Sequence, residues 1–308
     1  MMFRKILRHK LLAILCLLVL IVLGWLMVRM MPASESELRR STCLVDGTVS
    51  VCLVNGKDTA VLTSDSVHQQ GVWINRRWWL ASCDGRVLTV GPTATLRAAD
   101  VPALCDSLSS LLSRKETERK ELIYYLRSHG VIDEGYTQIA TYANRQSKMT
   151  DSLKLKVREL QRICPVDSDE TGRHFKLNKK SQLILRADYR VSWYNNSNHL
   201  KHVTCDPVFT PLTAKTYPLI LHTHRSIKPW GVYAVRNVPW GAAEHRKIVT
   251  VRLVPTDTVA PFHSIIVSGK YWQGHSHDLP RLFAVNGAPV FTKHGRFIGI
   301  IHGKEVLQ

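Results

Sequence analysis

The sequence predicts a mainly β protein, interrupted by an antiparallel α-helical hairpin and preceded by a transmembrane helix. Three observations lead there. An uncharged apolar run, Leu11–Val28, stands near the start of the chain. Leucines at three- and four-residue spacing mark the region from about Leu96 to Ile163 as helical. Elsewhere, short runs rich in Val, Ile, Trp and Thr alternate with Gly and Asp, the pattern of antiparallel strands and their turns. Setting anchor and hairpin aside leaves roughly 207 of the 308 residues for β structure, enough for two small barrels or one large one.

Residues 1–10, MMFRKILRHK, carry Arg4, Lys5, Arg8 and Lys10. The 18 residues Leu11–Val28 carry no charge. At about 1.5 Å per residue they reach roughly 27 Å as a helix, close to the ~30 Å hydrocarbon thickness of a bilayer. The basic flank predicts a cytoplasmic N-terminus at 1–10, a membrane anchor at 11–31 and an extracytoplasmic remainder, periplasmic or at the cell surface. A cleavable signal peptide fits less well, because its apolar region spans only about 7–15 residues and MPASESELRR offers no clear small-x-small site. Bulky Ile14 and Leu15 before Cys16 argue against a lipoprotein site.

Net charge is +18, and residues 1–33 hold five Arg/Lys and no acid, so the exported part carries +13. Such a surface favours anionic partners: acidic proteins, envelope polyanions or nucleic acid. No nucleic-acid-binding module is recognisable, and a solvated basic surface is the plainer account. Of seven cysteines, Cys16 lies in the apolar run; Cys43, Cys52, Cys83, Cys105, Cys164 and Cys205 would face an oxidising compartment, where pairing is common. No CxxC pair occurs, which argues against a zinc ribbon.

Residues 32–42 read as a polar tether, and 43–95 as the first part of a first barrel. There CLVDGTVSVCLV predicts a turn at Asp46-Gly47, followed by AVLTSD and GVWINRRWWLASCDGRVLTVG. Residues 96–163 form the hairpin. Leu104, Leu108, Leu111, Leu122 and Leu126 line one face while Arg114–Glu121, RKETERKE, meets water. SHGVIDEG breaks the helix, and Ile139, Tyr142, Met149, Leu153, Val157 and Leu160 resume the period. Cys105 and Cys164 stand equally far from the DEG turn, so antiparallel helices bring them together at the hairpin's base. A Cys105–Cys164 disulfide there would contribute about 4 kcal/mol for a loop of this length; the alternative is two small buried apolar residues. Residues 164–215 return to the first barrel and 216–308 form the second, through QLILRADYRVSWY, TYPLILHTH, GVYAVRNV, KIVTVRLV and HSIIVSG. The chain ends with RLFAVNGAPVFTKHGRFIGIIHG. It predicts a tight turn at Asn286-Gly287, a strand Pro289–Thr292, a turn at His294-Gly295 and a strand Phe297–Ile301.

AVNGAPVFTKHGRFIGII resembles the nucleophile loop and following hairpin of trypsin-like serine peptidases, with Gly287, Pro289, Val290, Gly295, Ile298 and Gly299 in register. GVWINRRWWLASCDG, Gly71 to Gly85, is similar to that family's strand and histidine loop. KIVTVRLVP, Lys247 to Pro255, more loosely resembles its aspartate strand. The three occur in the family's order, which implies a trypsin-like double β-barrel with the hairpin inserted. The reactive positions differ. Asn286 stands where the resemblance implies the serine, Asp84 (or Cys83) where it implies the histidine, and Lys247 where it implies the aspartate. Ala284 replaces a glycine of the oxyanion loop, to which Asn286 also belongs. An amide is no nucleophile, a carboxylate is too weak a base to activate a hydroxyl, and a lysine cannot hold an imidazolium by charge. The resemblance therefore implies no catalytic residues.

Other chemistry has weaker signals. GHSHDLP places His275, Ser276, His277 and Asp278 side by side, whereas a triad converges from separate segments. His275, His277 and Asp278 as metal ligands, and His222 with His224 in LHTHRS, read more simply as polar surface. Cys83 reads as a small buried or bonded cysteine, and Trp78-Trp79 as packing. The function expected is an anchored, exported, catalytically silent peptidase homologue that binds a peptide or protein partner. Its cleft candidates are Asp84, Ser268, His275, His277, Asn286 and Gly287, with the hairpin as a docking or self-associating arm and no cofactor or metal. The alternatives are an active endopeptidase or metal-assisted hydrolase with displaced residues, and a basic module binding envelope polymers.

Overall fold

Valine and leucine recur through residues 42–75, and in the computed structural model these form two long antiparallel strands, β1 (Thr42–Asn55) and β2 (Asp58–Asn75). The structure describes residues 17–24, 33–75, 85–93, 96–132, 134–164, 166–169, 172–175, 177, 180–195, 199–213, 215–224, 229–236, 247–254, 263–272 and 275–308. The chain reverses at Gly56, whose φ of 62° suits glycine. Asp46-Gly47, predicted as a turn, instead lies inside β1 opposite His68 and Val67. Glycine is needed there for packing: a Cβ would come 2.5 Å from the Tyr189 ring.

Helix α1 (17–24) and α2 (Glu35–Ser41) precede β1, and β3 (Arg86–Val90) follows β2. The hairpin helices are α3 (Val101–Ser128) and α4 (Tyr136–Ile163). Then come β4 (Val166–Asp169), β5 (Gly172–Phe175), β6 (Gln182–Tyr194), β7 (Leu200–Pro207), β8 (Pro218–His222) and β9 (Val235–Arg236). β10 (Lys247–Val254), β11 (His263–Lys270), β12 (Pro289–Thr292), β13 (Phe297–His302) and β14 (Glu305–Leu307) complete the chain. In one sheet the pairing runs β1-β6-β7-β8-β3-β2 and returns to β1, with β9 added in parallel on β2. The other sheet runs β11-β10-β12-β13-β14. The strands predicted at Pro289–Thr292 and Phe297–Ile301 are β12 and β13.

Strand alternation sends neighbouring residues into different cores. On β2, Trp73 points into the first sheet's core, edge-on to Trp193 with ring centroids 5.5 Å apart. Val72 and Ile74 join Leu88, Val90, Val251, Phe291 and Ile300 in a cluster between the two sheets. A third cluster, around Ile248, Ala288, Val290 and Ile301, fills the far side of the second sheet.

The hairpin is antiparallel, as the ion pairs Glu116–Lys154 (3.1 Å) and Arg119–Asp151 (2.8 Å) show by stepping in opposite directions along the two helices. Its packed face on α4 keeps the predicted Val157 and Leu160, both buried, but runs one residue off the prediction in the first half of the helix. Ala143, Thr150 and Val157, seven residues apart, are buried, whereas Tyr142 and Met149 are exposed. A seven-residue repeat of small side chains lets two helices approach closely. Cys105 and Cys164 do meet at the hairpin's base, buried in the same core cluster. Both are free, as are Cys43, Cys52 and Cys205, so the expected disulfide is corrected to two small buried residues.

Two further expectations are corrected. Among the described residues no helix is long and apolar enough to cross a membrane. Of the anchor expected at 11–31 only 17–24 is described, an exposed helix reaching about 12 Å, and 1–10 lies outside the described residues. The single-pass assignment, with its cytoplasmic N-terminus and extracytoplasmic domain, does not carry over. Nor does the trypsin-like double β-barrel divided at residue 216. β8 and β9 lie beyond that boundary yet pair into the first sheet. Among the described residues the second sheet has five strands, and its outer strands β11 and β14 are linked through two isolated bridges, Tyr271–His277 and Ser276–Glu305.

Candidate functional site

Those two bridges build the site. After β11 the chain turns back at His275, whose φ of 65° is rare for a residue with a Cβ. The His275 carbonyl accepts the Val306 amide at 2.8 Å, and its Nδ1 lies 2.7 Å from the Tyr271 hydroxyl. The Trp272 amide donates to Ser276 O and the His277 amide to Lys304 O, so residues 275–278 lie across the opening between β11 and β14. Asp278 Oδ1 accepts the Lys270 amide, and buried Leu279 anchors the start of the next loop.

A cavity of about 770 Å³ lies there, lined by Trp272, His277, Asp278, Leu279, Arg281, Ala284 and Lys304 among others. His277 is 8% exposed, and neither ring nitrogen has a hydrogen-bond partner. Burial holds its imidazole below the usual range. The Gly303 carbonyl and Asp278 favour the cation, although no bond of normal geometry forms to Gly303. Arg281 and Lys304 place two cations at the walls against the one carboxylate of Asp278.

Above the cavity the predicted Asn286-Gly287 turn docks on the first sheet. The Gln70 amide donates to Asn286 O at 2.9 Å, and Thr89 Oγ1 donates to Gln70 O at 2.7 Å. Gly287 has φ 79°, and a Cβ there would sit 1.8 Å from Gln70 O. Asn286 Oδ1 accepts the Gly303 amide at 3.0 Å, tying the turn to the β13–β14 connection. Three of the loop's amides are engaged: Ala284 N–H with Pro280 O, Gly287 N–H with Ile301 O and Ala288 N–H with Val285 O.

Of the described residues singled out from sequence, the structure brings only His277, Asp278 and Ala284 to the cavity wall. Asn286 and Gly287 hold the turn above it. Ser268 is exposed on β11, and His275 bonds Tyr271. Lys247, exposed at the start of β10, accepts the Lys293 amide on its carbonyl. Asp84, Cys83 and Trp78-Trp79 lie outside the described residues. His222 ends β8, while His224 lies beyond it with φ 56° and pairs with Asp206 at 2.6 Å, both well exposed. Among the described residues no group of three or more His, Cys, Asp or Glu is placed to hold a metal ion. Trp272, Arg281 and Lys304 were missed. They have no motif, and Lys304 reaches Trp272 only because β14 returns beside Ser276.

No protein-family model matches the chain, and no curated protein matches it. Among solved structures, it is similar to the crystal structure of a MacA–MexA chimeric protein containing the Pseudomonas aeruginosa MexA α-hairpin domain. Identity is 9% over 87% of this chain and 86% of that one, with a TM-score of 0.15. A likeness that slight carries no argument about fold or activity.

Proposed function

We propose that this chain is a catalytically silent binding protein, which holds a peptide segment of a partner in the cavity beside His277. The state of the Asn286 loop carries the reading. An acyl-transfer site needs a nucleophile and unengaged donors aimed at the developing oxyanion. Here the resemblance aligns the nucleophile with an asparagine whose Oδ1 is bonded to Gly303. The neighbouring amides of Ala284, Gly287 and Ala288 already have partners inside the loop and β13. No nucleophile stands at that position and the Ala284 donor is already taken, while the cavity beside it is wide enough for a side chain and lined by both apolar and charged groups.

The test is incubation of the folded chain with a serine-directed fluorophosphonate probe and labelled casein, read by intact mass and fragment release. No adduct and no cleavage are expected. A stoichiometric adduct together with casein cleavage would overturn the reading.

A further inference from the structure

The geometry points to the helical hairpin as a dimerisation arm, on which two copies of this chain stack face to face with their tips at the same end. On one face α3 and α4 leave a groove of about 580 Å³, lined by Leu122, Tyr125, Ile139 and Tyr142 and edged by Glu118 and Glu121. The groove is formed in the single copy. Lys115 Nζ donates to the Glu118 carboxylate at 2.7 Å and the Tyr142 hydroxyl donates to it at 3.0 Å, which fixes that wall. Tyr142 and, further along α4, Met149 are exposed, and in the turn Val131 is well exposed and Ile132 fully so. Apolar surface gathered at one end of a helical arm marks a place where a partner sits.

A second copy is the occupant because the face complements itself. Arg145 follows the groove residue Gln138 by seven positions and so lies on the same face of α4. Four bonds across the hairpin, Lys115–Gln146, Glu118–Tyr142, Glu116–Lys154 and Arg119–Asp151, bracket Arg145 at the height of Glu118 and Glu121. Glu121 and Arg145 are both exposed, and no described side chain pairs with either. A twofold axis along the hairpin lays α3 of one copy on α4 of the other at equal height. Glu121 of each copy then faces Arg145 of the other, so two unlike pairs flank the apolar stripe and the two Ile132 turns come together. With the tips opposed, Arg145 would instead meet Arg145 of the second copy. Flanking charge pairs of this kind set partner and orientation where helices pack. From Leu111 to the end of α3 the face runs about 27 Å, and two helices make it about 20 Å wide. Stacking would bury roughly 1,100 Å² over both copies, past the ~1,000 Å² that a specific interface needs.

The experiment is sedimentation velocity of the full chain over a range of concentrations. A monomer–dimer equilibrium with Kd on the order of 10 µM is expected for an interface of this size. Glu121→Arg and Arg145→Glu each set like charges against one another twice, and each is expected to weaken the dimer about tenfold or more with an unchanged melting temperature. Mixed in equal amounts, the two variants regain both unlike pairs, and the mixture is expected to associate to within about threefold of the unaltered chain. A chain that stays monomeric to about 200 µM overturns the inference, as do charge reversals that dimerise like the unaltered chain. So does a mixture that associates no more tightly than either variant by itself, which would place the contact on another surface or oppose the tips.

Discussion

Replacing Gly287 by alanine should unseat the Asn286 turn from the first sheet, and the structure allows the cost to be worked out. At φ 79° an alanine is disfavoured by about 1–2 kcal/mol. Its Cβ would also stand 1.8 Å from Gln70 O and 2.8 Å from Thr89 Oγ1, so backbone must move. That movement disrupts the Gln70 N–H to Asn286 O and Thr89 Oγ1 to Gln70 O hydrogen bonds. At about 0.5–1.5 kcal/mol each, these bring the total to about 2–5 kcal/mol. For a unit of this size each kcal/mol lowers Tm by about 2–4 °C, so Gly287→Ala should melt on the order of 10 °C earlier by circular dichroism. Gly303→Ala is the control. Gly303 also has positive φ, 61°, but nothing lies within 4 Å of its missing Cβ, so only the conformational term of about 1–2 kcal/mol applies. If the two variants melt together, the close approach to Gln70 does not hold the turn and the reasoning is wrong.

Three other outcomes follow from the same geometry. His277 has its protonation lowered below the ordinary imidazole value of 6.5 by burial, so its contribution to stability is fully present above pH 6.5 and is lost as pH falls through the lower folded value; denaturant melts from pH 7.5 down to 5 should show this loss, and His277→Leu should flatten it. Asn286→Ser should create no peptidase, because the amides of Ala284, Gly287 and Ala288 remain engaged and Lys247 supplies no carboxylate; a fluorophosphonate adduct on Ser at 286 would contradict this. Burial pushes the Cys105 and Cys205 thiols up to about 12, for Cys105 with help from neighbouring Cys164; iodoacetamide should therefore label them slowly at pH 8 until the chain is denatured, as peptide mass mapping would show.

Local pattern was enough wherever one element determines its own form. The helix–turn–helix between 96 and 163, and the strands at 289–292 and 297–302, were legible because periods of 3.6 and 2 need only neighbouring residues. The meeting of Cys105 with Cys164 was legible too, from helices of equal length. Whether two thiols bond, however, is not a matter of spacing, and they remain free.

What only the tertiary structure decided were relations between segments far apart. Gly47 reads as a turn residue until the Tyr189 ring is seen against it. Strands β8 and β9 look like the start of a second unit until β3 and β2 take them as neighbours. GHSHDLP shows two equivalent histidines; the bridges to Tyr271 and Glu305 bury His277 and leave His275 exposed, bonded to a tyrosine hydroxyl. The sequence by itself determined helices, turns and strand spacing, because these follow from short-range sterics and hydrophobic period. The cavity, its unpaired imidazole and its two cations arise from long-range strand pairing, which no local period encodes.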